Sequence, residues 1–320
     1  MHRQLFVGIL SGGQTSMPLT YALITPAWNE EEHLEKLIES VAAQTMLPIC
    51  WIIVSDGSTD RTDLIVNSYS LQFPWIRLLR AERESVRHFA GKARAVNAGY
   101  AAIRHLDFDL VGNLDADVTL PSDYYEFLLS KFVEIPKLGV AGTPFIEQTG
   151  SAGYHSYRHA LANLSHVSGA CQIFRRQCFE DIGGYTPIKG GGIDWVAVTT
   201  ARMRGWMTRT FLERTCAHHR VMGTADRDPI RARFRHGQED YYVGNHLIWE
   251  VARSLFQMKN KPLILGGLSL IAGYASAWLS RNPNPIPQEL RMFHRREQLE
   301  RMWRIVTLRA SADARTFVQR

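Results

Sequence analysis

Through the first 145 residues, short apolar runs alternate with segments whose apolar positions recur at helical spacing. Tyr21–Thr25 is an apolar run closed by Pro26, and Leu34, Leu37, Ile38 and Val41 then fall on one helical face. The acidic turn Glu30–Glu32 before that face suits the positive end of a helix dipole. Trp51–Val54 predicts a second strand, Thr62–Tyr69 a helix, Ile76–Leu79 a strand, Ala93–Ile103 an Ala-rich helix and Leu110–Leu114 the next strand. Such alternation predicts an α/β fold with a mainly parallel sheet covered by helices on both faces. Ligands in these sheets bind outside the carboxyl ends of the strands. The polar clusters fall at those ends: Asn29 with Glu30, Asp56-Gly57-Ser58, and Asp115 with Asp117.

The second half is less regular. Cys171–Phe174 is apolar, helices are expected over 177–182 and from Asp194 to Arg204, and a strand over 207–212. A glycine-rich stretch, Gly183-Gly184 through Gly190–Gly192, lies between those helices and suits a mobile loop or a tight turn. Residues 1–20 read as an extension, with an apolar run too short for a signal peptide. Residues 21–242 read as the main α/β domain and 243–320 as a helical region.

Charge separates these parts. Of the net charge of +6, residues 281–320 carry +5 and the preceding 280 residues only +1. A basic tail suits a polyanionic surface, either anionic lipid or nucleic acid. Nucleic-acid binding would place aromatic residues among the basic ones, and the tail offers only Phe293, Trp303 and Phe317, so lipid is favoured. Between Lys261 and Arg281 lie nineteen uncharged residues, 262–280, long enough to span a bilayer but interrupted by three glycines and three serines. One crossing would leave the arginines on the far side from a cytosolic domain, against the positive-inside tendency. Peripheral, in-plane attachment at the cytoplasmic face of the inner membrane is therefore expected, with 247–256 pairing as a hairpin. Insertion, and a buried soluble helix or oligomer contact, are the alternatives. Four cysteines without CxxC spacing suit reduced, buried thiols in the cytosol.

Asp115 and Asp117, one residue apart after an apolar run, are the most informative pair. They can share one hard divalent cation, divide between a cation and a sugar hydroxyl, or simply form a solvated turn. His218 and His219 follow the last expected strand, and an imidazole can ligate Mn2+ or lie solvated. Arg231, Arg233 and Arg235 suit forked contacts to phosphate or a solvated basic face.

Together, Thr25–Glu30, Val54–Thr62, Gly91–Gly99, Leu114–Asp117, Phe174–Tyr185 and the Asp194 segment resemble the family 2 glycosyltransferases, in the family's order. The resemblance covers about residues 21–242 and implies a GT-A type, Rossmann-like fold. It implies an inverting transferase of the hexosyltransferase type, using a nucleotide-diphospho-sugar donor and Mn2+ or Mg2+. Pro26, Asn29 and Glu30 would line the nucleotide pocket, Asp56 would meet the base, and Lys92 and Asn97 would lie near base and diphosphate. Asp115 would contact ribose or sugar, Asp117 the metal, His218 would complete the metal shell, and Asp194 would be the general base. Two departures stand out: Asp56 lacks the acidic neighbour often present at Ser55, and Ile193 replaces an acid beside Asp194. An N-cap is the bland alternative for Asp194. The acceptor expected is a glycan or lipid-linked saccharide, in polysaccharide or glycoconjugate synthesis, with sugar choice set mainly within residues 143–192. A nucleotidyltransferase would more naturally carry a Gly-rich basic loop after the first strand, which Thr25–Asn29 lacks. A non-catalytic nucleotide-sugar-binding scaffold at the membrane is the other rival.

Overall fold

The computed structural model describes residues 18–81, 89–147, 154–155, 163–188, 191–220, 228–259, 262–280 and 284–318. The chain divides into two compact units. The first is built on β1 (Tyr21–Ala27), α1 (Leu34–Ala42), β2 (Cys50–Asp56), α2 (Thr62–Gln72), β3 (Ile76–Ala81), α3 (Phe89–Ile103) and β4 (Leu110–Leu114). It continues through β5 (Val118–Thr119), α4 (Tyr124–Glu134), β6 (Leu138–Gly142), β7 (Phe145–Glu147), β8 (Tyr154–His155) and β9 (Cys171–Arg175). It closes with α5 (Arg176–Asp181), α6 (Ile193–Met203), β10 (Met207–Thr210) and β11 (Cys216–His218).

The main sheet has the order β10-β6-β9-β4-β1-β2-β3. β4, β1, β2 and β3 run parallel, while β9 is antiparallel to both β4 and β6. β1, β2 and β4 are buried nearly throughout, as expected of apolar runs covered on both faces. Chain order reverses between β1 and β4, which opens the crevice at their carboxyl ends where such sheets bind ligands. On one face α3 lies close to β1 and β2 because Gly99 has no side chain. A Cβ there would fall 2.6 Å from Ile24 and 3.1 Å from Val54.

A second sheet, β5-β11-β7-β8, stands beside the first. β11 pairs antiparallel with β5, setting His218 opposite Val118, one residue past Asp117. All four cysteines are buried and free, as expected of reduced thiols.

The second unit holds α7 (Pro229–Tyr242), α8 (Leu247–Gln257), α9 (Leu263–Leu279) and α10 (Gln288–Val318). α7 belongs here by packing, although the pattern of the sequence placed the boundary after residue 242. The reason is a close crossing with α9: a Cβ on Gly237 would sit 1.9 Å from the Leu270 carbonyl, and one on Gly273 1.9 Å from that of Phe234. α9 also meets α8, where a Cβ on Gly267 would lie 2.4 Å from the Ser254 carbonyl. Its glycines thus make a helix-packing face rather than an interrupted membrane span. Among the described residues no helix is long and apolar enough to cross a membrane.

Beneath α8 lies a polar core centred on Asn245. Its Oδ1 accepts from His294 Nε2 (2.8 Å) and Gln298 Nε2 (2.7 Å), and its carbonyl accepts from the Tyr274 hydroxyl (2.8 Å). Glu250 is fully buried beside it, and burial together with the Asp240 charge pushes its carboxyl up to about 7.

Candidate active site

The loops after β1 and β2 are locked to each other. Asn29 adopts φ 53°, a left-handed conformation that Asn tolerates better than most residues. Its N–H donates to Ser58 Oγ (3.1 Å) and its Oδ1 accepts from the Thr59 N–H (2.8 Å). The Glu30 N–H donates to Thr62 Oγ1 (2.8 Å). Pro26 pairs with Val54 inside the sheet and is partly exposed at the strand end. Asp56 ends β2, and its Oδ2 lies 3.1 Å from where a Cβ on Gly91 would sit, so the start of α3 faces this carboxylate.

Glu30 is buried and held by a forked pair of contacts from Arg220, at 3.1 and 2.7 Å. Arg220 also lies 3.5 Å from Asp117 Oδ2. It therefore ties the loop after β1 to the acidic cluster. Hydrogen bonding to Glu30, then the charges of Glu30 and Asp117, hold its guanidinium above the ordinary range against the effect of burial.

Asp115, Asp117 and His218 offer ligand atoms that all lie within 4.8 Å of one another. His218 Nε2 is 3.5 Å from Asp117 Oδ1, and its buried Nδ1 has no hydrogen-bond partner among the described residues. Two carboxylates and an imidazole suit Mn2+, with carboxylates alone sufficing for Mg2+. The residues present fit such an ion. Lys92 already answers part of the negative charge, with Nζ 2.5 Å from Asp115 Oδ1. Burial would lower this ammonium's pKa, but Asp115, its hydrogen bond and the charges of Asp194 and Asp117 raise it above normal, so Lys92 stays charged. Burial, then the Asp117 charge, push Asp115 up against the opposing pull of Lys92.

Asp194 joins this cluster through one peptide segment. The Gly169 N–H donates to Asp194 Oδ2 (2.9 Å), while the Gly169 carbonyl accepts from Asn113 Nδ2 (2.9 Å) and Lys92 Nζ (3.4 Å). The next carbonyl, of Ala170, accepts from the Asp115 N–H (2.9 Å). β9 runs antiparallel to β4, and that pairing carries Gly169 and Ala170 to the end of β4. Asp194 is the second residue of α6, half-buried, with this long-range bond in place of a purely local capping role. Behind the segment, the Tyr185 hydroxyl donates to Gln172 Oε1. Burial, then the carboxylates of Asp194 and Asp115, push that phenol well above its ordinary range.

Asn97 is held by backbone. Its Nδ2 donates to the Tyr185 carbonyl (2.8 Å) and its Oδ1 accepts from the Tyr185 N–H (2.9 Å). The amide is thus engaged by backbone and braces the Tyr185 turn, while Lys92 of the same helix reaches Asp115. Arg231, Arg233 and Arg235 lie on α7 of the second unit. Gly191 (φ 103°) and Gly192 (φ 74°) take the positive angles of a tight turn, and Gly190 lies outside the described residues. So do 148–153 and 156–162, part of the stretch expected to choose the sugar.

Arg220, Gly169 and Asn113 were not legible as site residues in the sequence. The only hint for Arg220 was its place two residues after His218. Gly169 shows its role only through the close approach of Asp194, whose Cβ would lie 2.8 Å from a Cβ at that position.

Comparison with known proteins agrees with this geometry. Residues 22–183 match the model of "Glycosyl transferase family 2". The chain is 33% identical over 112 residues to glycosyltransferase GlyA of Streptococcus pneumoniae, covering 35% of this chain and 15% of that protein. It is 25% identical over 181 residues to the poly-beta-1,6-N-acetyl-D-glucosamine synthase of Staphylococcus epidermidis, covering 51% of this chain and 41% of the relative. The chain thus spans less than half the length of these two relatives. Among solved structures, a mannosyltransferase from Pyrobaculum calidifontis in complex with GDP-Man and Mn2+ aligns with TM-score 0.54 and 19% identity, over 90% of this chain and 86% of that one. S. aureus TarS 1-349 in complex with UDP-GlcNAc aligns with TM-score 0.52 and 15% identity, over 82% and 74%. These two likenesses concern the fold. With the family model matched over half its length and the strand-end carboxylates gathered at one crevice, this chain belongs to the family 2 glycosyltransferases.

Proposed function

We propose that this chain is a metal-dependent, inverting glycosyltransferase that moves a sugar from a nucleotide-diphospho-sugar to a glycan or lipid-linked saccharide. The observation that carries the reading is the Gly169 segment, which ties Asp194 to Lys92 and, through Ala170, to Asp115. A base and a metal cluster held by one rigid strand end is what group transfer at a single carbon requires.

Asp117 and His218, with Asp115 beside them, would hold Mn2+ or Mg2+. When bound, the ion supplies positive charge against the leaving diphosphate. The GDP-Man and Mn2+ of one neighbour and the UDP-GlcNAc of another support a donor and ion of these classes. Lys92 stays protonated and adds a fixed positive charge beside Asp115. Glu30, Asn29 and Asp56 line the nucleotide side, held in place by Arg220 and the Ser58–Thr62 loop. Asp194 accepts the proton of the attacking acceptor hydroxyl, an effect typically worth ~10²–10⁴-fold. The Gly169 N–H aims one of its oxygens and leaves the other for that proton. Attack from the side of this base inverts the anomeric carbon. Peripheral attachment at the cytoplasmic membrane face would bring a lipid-linked acceptor within reach.

A panel of nucleotide sugars assayed with Mn2+ or Mg2+, scoring donor hydrolysis as well as transfer, tests the proposal. Release of nucleoside diphosphate from at least one donor is expected. Neither turnover nor binding of any donor would leave a non-catalytic scaffold as the reading.

A further inference from the structure

The second unit carries an apolar corner that packing among the described residues leaves exposed. α9 buries Gly266, Gly267, Leu270, Gly273, Tyr274 and Ala277 on one face. Its first turns leave Leu263, Ile264, Leu265 and Leu268 exposed at 58, 63, 59 and 49%. Gly267 meets Ser254 and Met258, so the last turn of α8 lies against these same turns. There Leu255 and Phe256 are exposed at 57 and 53%. Six large apolar side chains at one corner expose roughly 600 Å², at the upper limit for the largest patch of an ordinary monomer.

Cationic groups border this corner. Lys259 is exposed in the α8–α9 connection. α7 runs along the same half of α9, with Ser269 Oγ donating to the Ile230 carbonyl (2.8 Å) and Arg233 within 4.0 Å of the Cβ position of Gly266. Between the two helices lies a cavity of about 430 Å³, lined by Ile230, Arg231, Phe234, Arg235 and Ser269. Its walls are apolar and its rim carries two guanidinium groups, one of them, Arg231, 84% exposed and 3.7 Å from the half-exposed Asp228 carboxylate. Arginine forks suit phosphate oxygens, and apolar walls suit an acyl or glycerol stem.

We propose that this corner docks on the surface of a bilayer containing anionic phospholipid. α9 then lies in the interface plane, and the α7–α9 cavity receives a lipid phosphate. Charge complementarity selects this occupant. A second copy seated on the same face would bring its own arginines and lysines against these. A neutral apolar partner would offer these cations no anion. The proposal deepens the peripheral attachment suggested above by naming the face, and its readout does not depend on glycosyl transfer.

The test is co-sedimentation of the full chain with vesicles of phosphatidylcholine alone or mixed with phosphatidylglycerol, without donor or metal. Binding is expected only to the mixed vesicles, and it should weaken with salt. Each basic group near an acidic leaflet is worth about fivefold in partitioning, so Arg231→Glu with Lys259→Glu should lower binding roughly 20-fold or more. Ile264→Ser with Leu265→Ser should also release the protein, while glycerol phosphate in solution should not compete. Donor hydrolysis without vesicles should be unchanged in all variants, which separates failure here from failure of the transferase reading. Equal binding to both vesicle types, binding untouched by either variant, or a stable dimer that ignores vesicles would overturn the proposal.

Discussion

Replacing Gly169 by alanine probes the link between Asp194, the proposed base, and the acidic cluster most sharply. The new Cβ would stand 2.8 Å from Asp194 Cβ and 2.9 Å from its Oδ2, where ordinary contact needs 3.4–4 Å. The segment cannot retreat freely, because its carbonyls hold Asn113, Lys92 and the Asp115 N–H. Asp194 must therefore move by about 1 Å, a displacement that costs about 100-fold when it misplaces a reacting group. Overpacking itself should destabilise the fold by about 1–3 kcal/mol. The assay is steady-state transfer with donor affinity measured separately by calorimetry. A kcat lowered about 100-fold with donor Kd within a factor of three is expected. Wild-type kcat in a folded variant would show that the Gly169 contact does not position the base, and equal losses in kcat and affinity would point to general damage.

Other perturbations reach other parts of the molecule. Arg220→Ala leaves the buried Glu30 carboxylate without its forked partner, so nucleotide affinity should fall by about 10-fold or more, as calorimetry would record. Gly237→Ala or Gly273→Ala places a methyl 1.9 Å from a carbonyl of the facing helix, and α7 and α9 must separate. A loss of about 3 kcal/mol or more is expected in chemical denaturation. Burial, then the Asp240 charge, raise both Glu239 and Glu250 to about 7, so the folded state binds more protons than the unfolded state between pH ~4.5 and 7. Stability from these groups is complete below pH ~4.5 and is lost as pH rises to about 7, by roughly 3 kcal/mol for Glu250. Denaturation at pH 5 and 8 should show that difference shrinking in Glu250→Gln.

The parallel half of the sheet was legible because its strands are apolar runs between helix-spaced segments, and β1 to β4 begin and end within a few residues of their expected limits. β5, β7 and β11 were not, being two or three residues long with no periodicity to detect. Yet they set His218 opposite Val118, so the imidazole's place in the cluster depends on pairings that no local pattern announces. Asp115, Asp117 and Asp194 stood out as carboxylates at element ends. Gly169 and Arg220 did not, since their roles arise from contacts across 25 and 190 residues. The apolar stretch 262–280 showed its composition but not its partner: whether its glycines interrupt a span or seat a helix is decided by α7.

The most direct measurement is a single-turnover comparison of the wild-type chain with Asp194→Asn, using a donor that the wild type turns over, with Mn2+ and acceptor. The substitution keeps an acceptor oxygen for the Gly169 N–H but cannot take a proton at neutral pH. Donor binding should be preserved while transfer falls by ~10²–10⁴-fold. Transfer at the wild-type rate would contradict the assignment of Asp194 as the base on which the site is built.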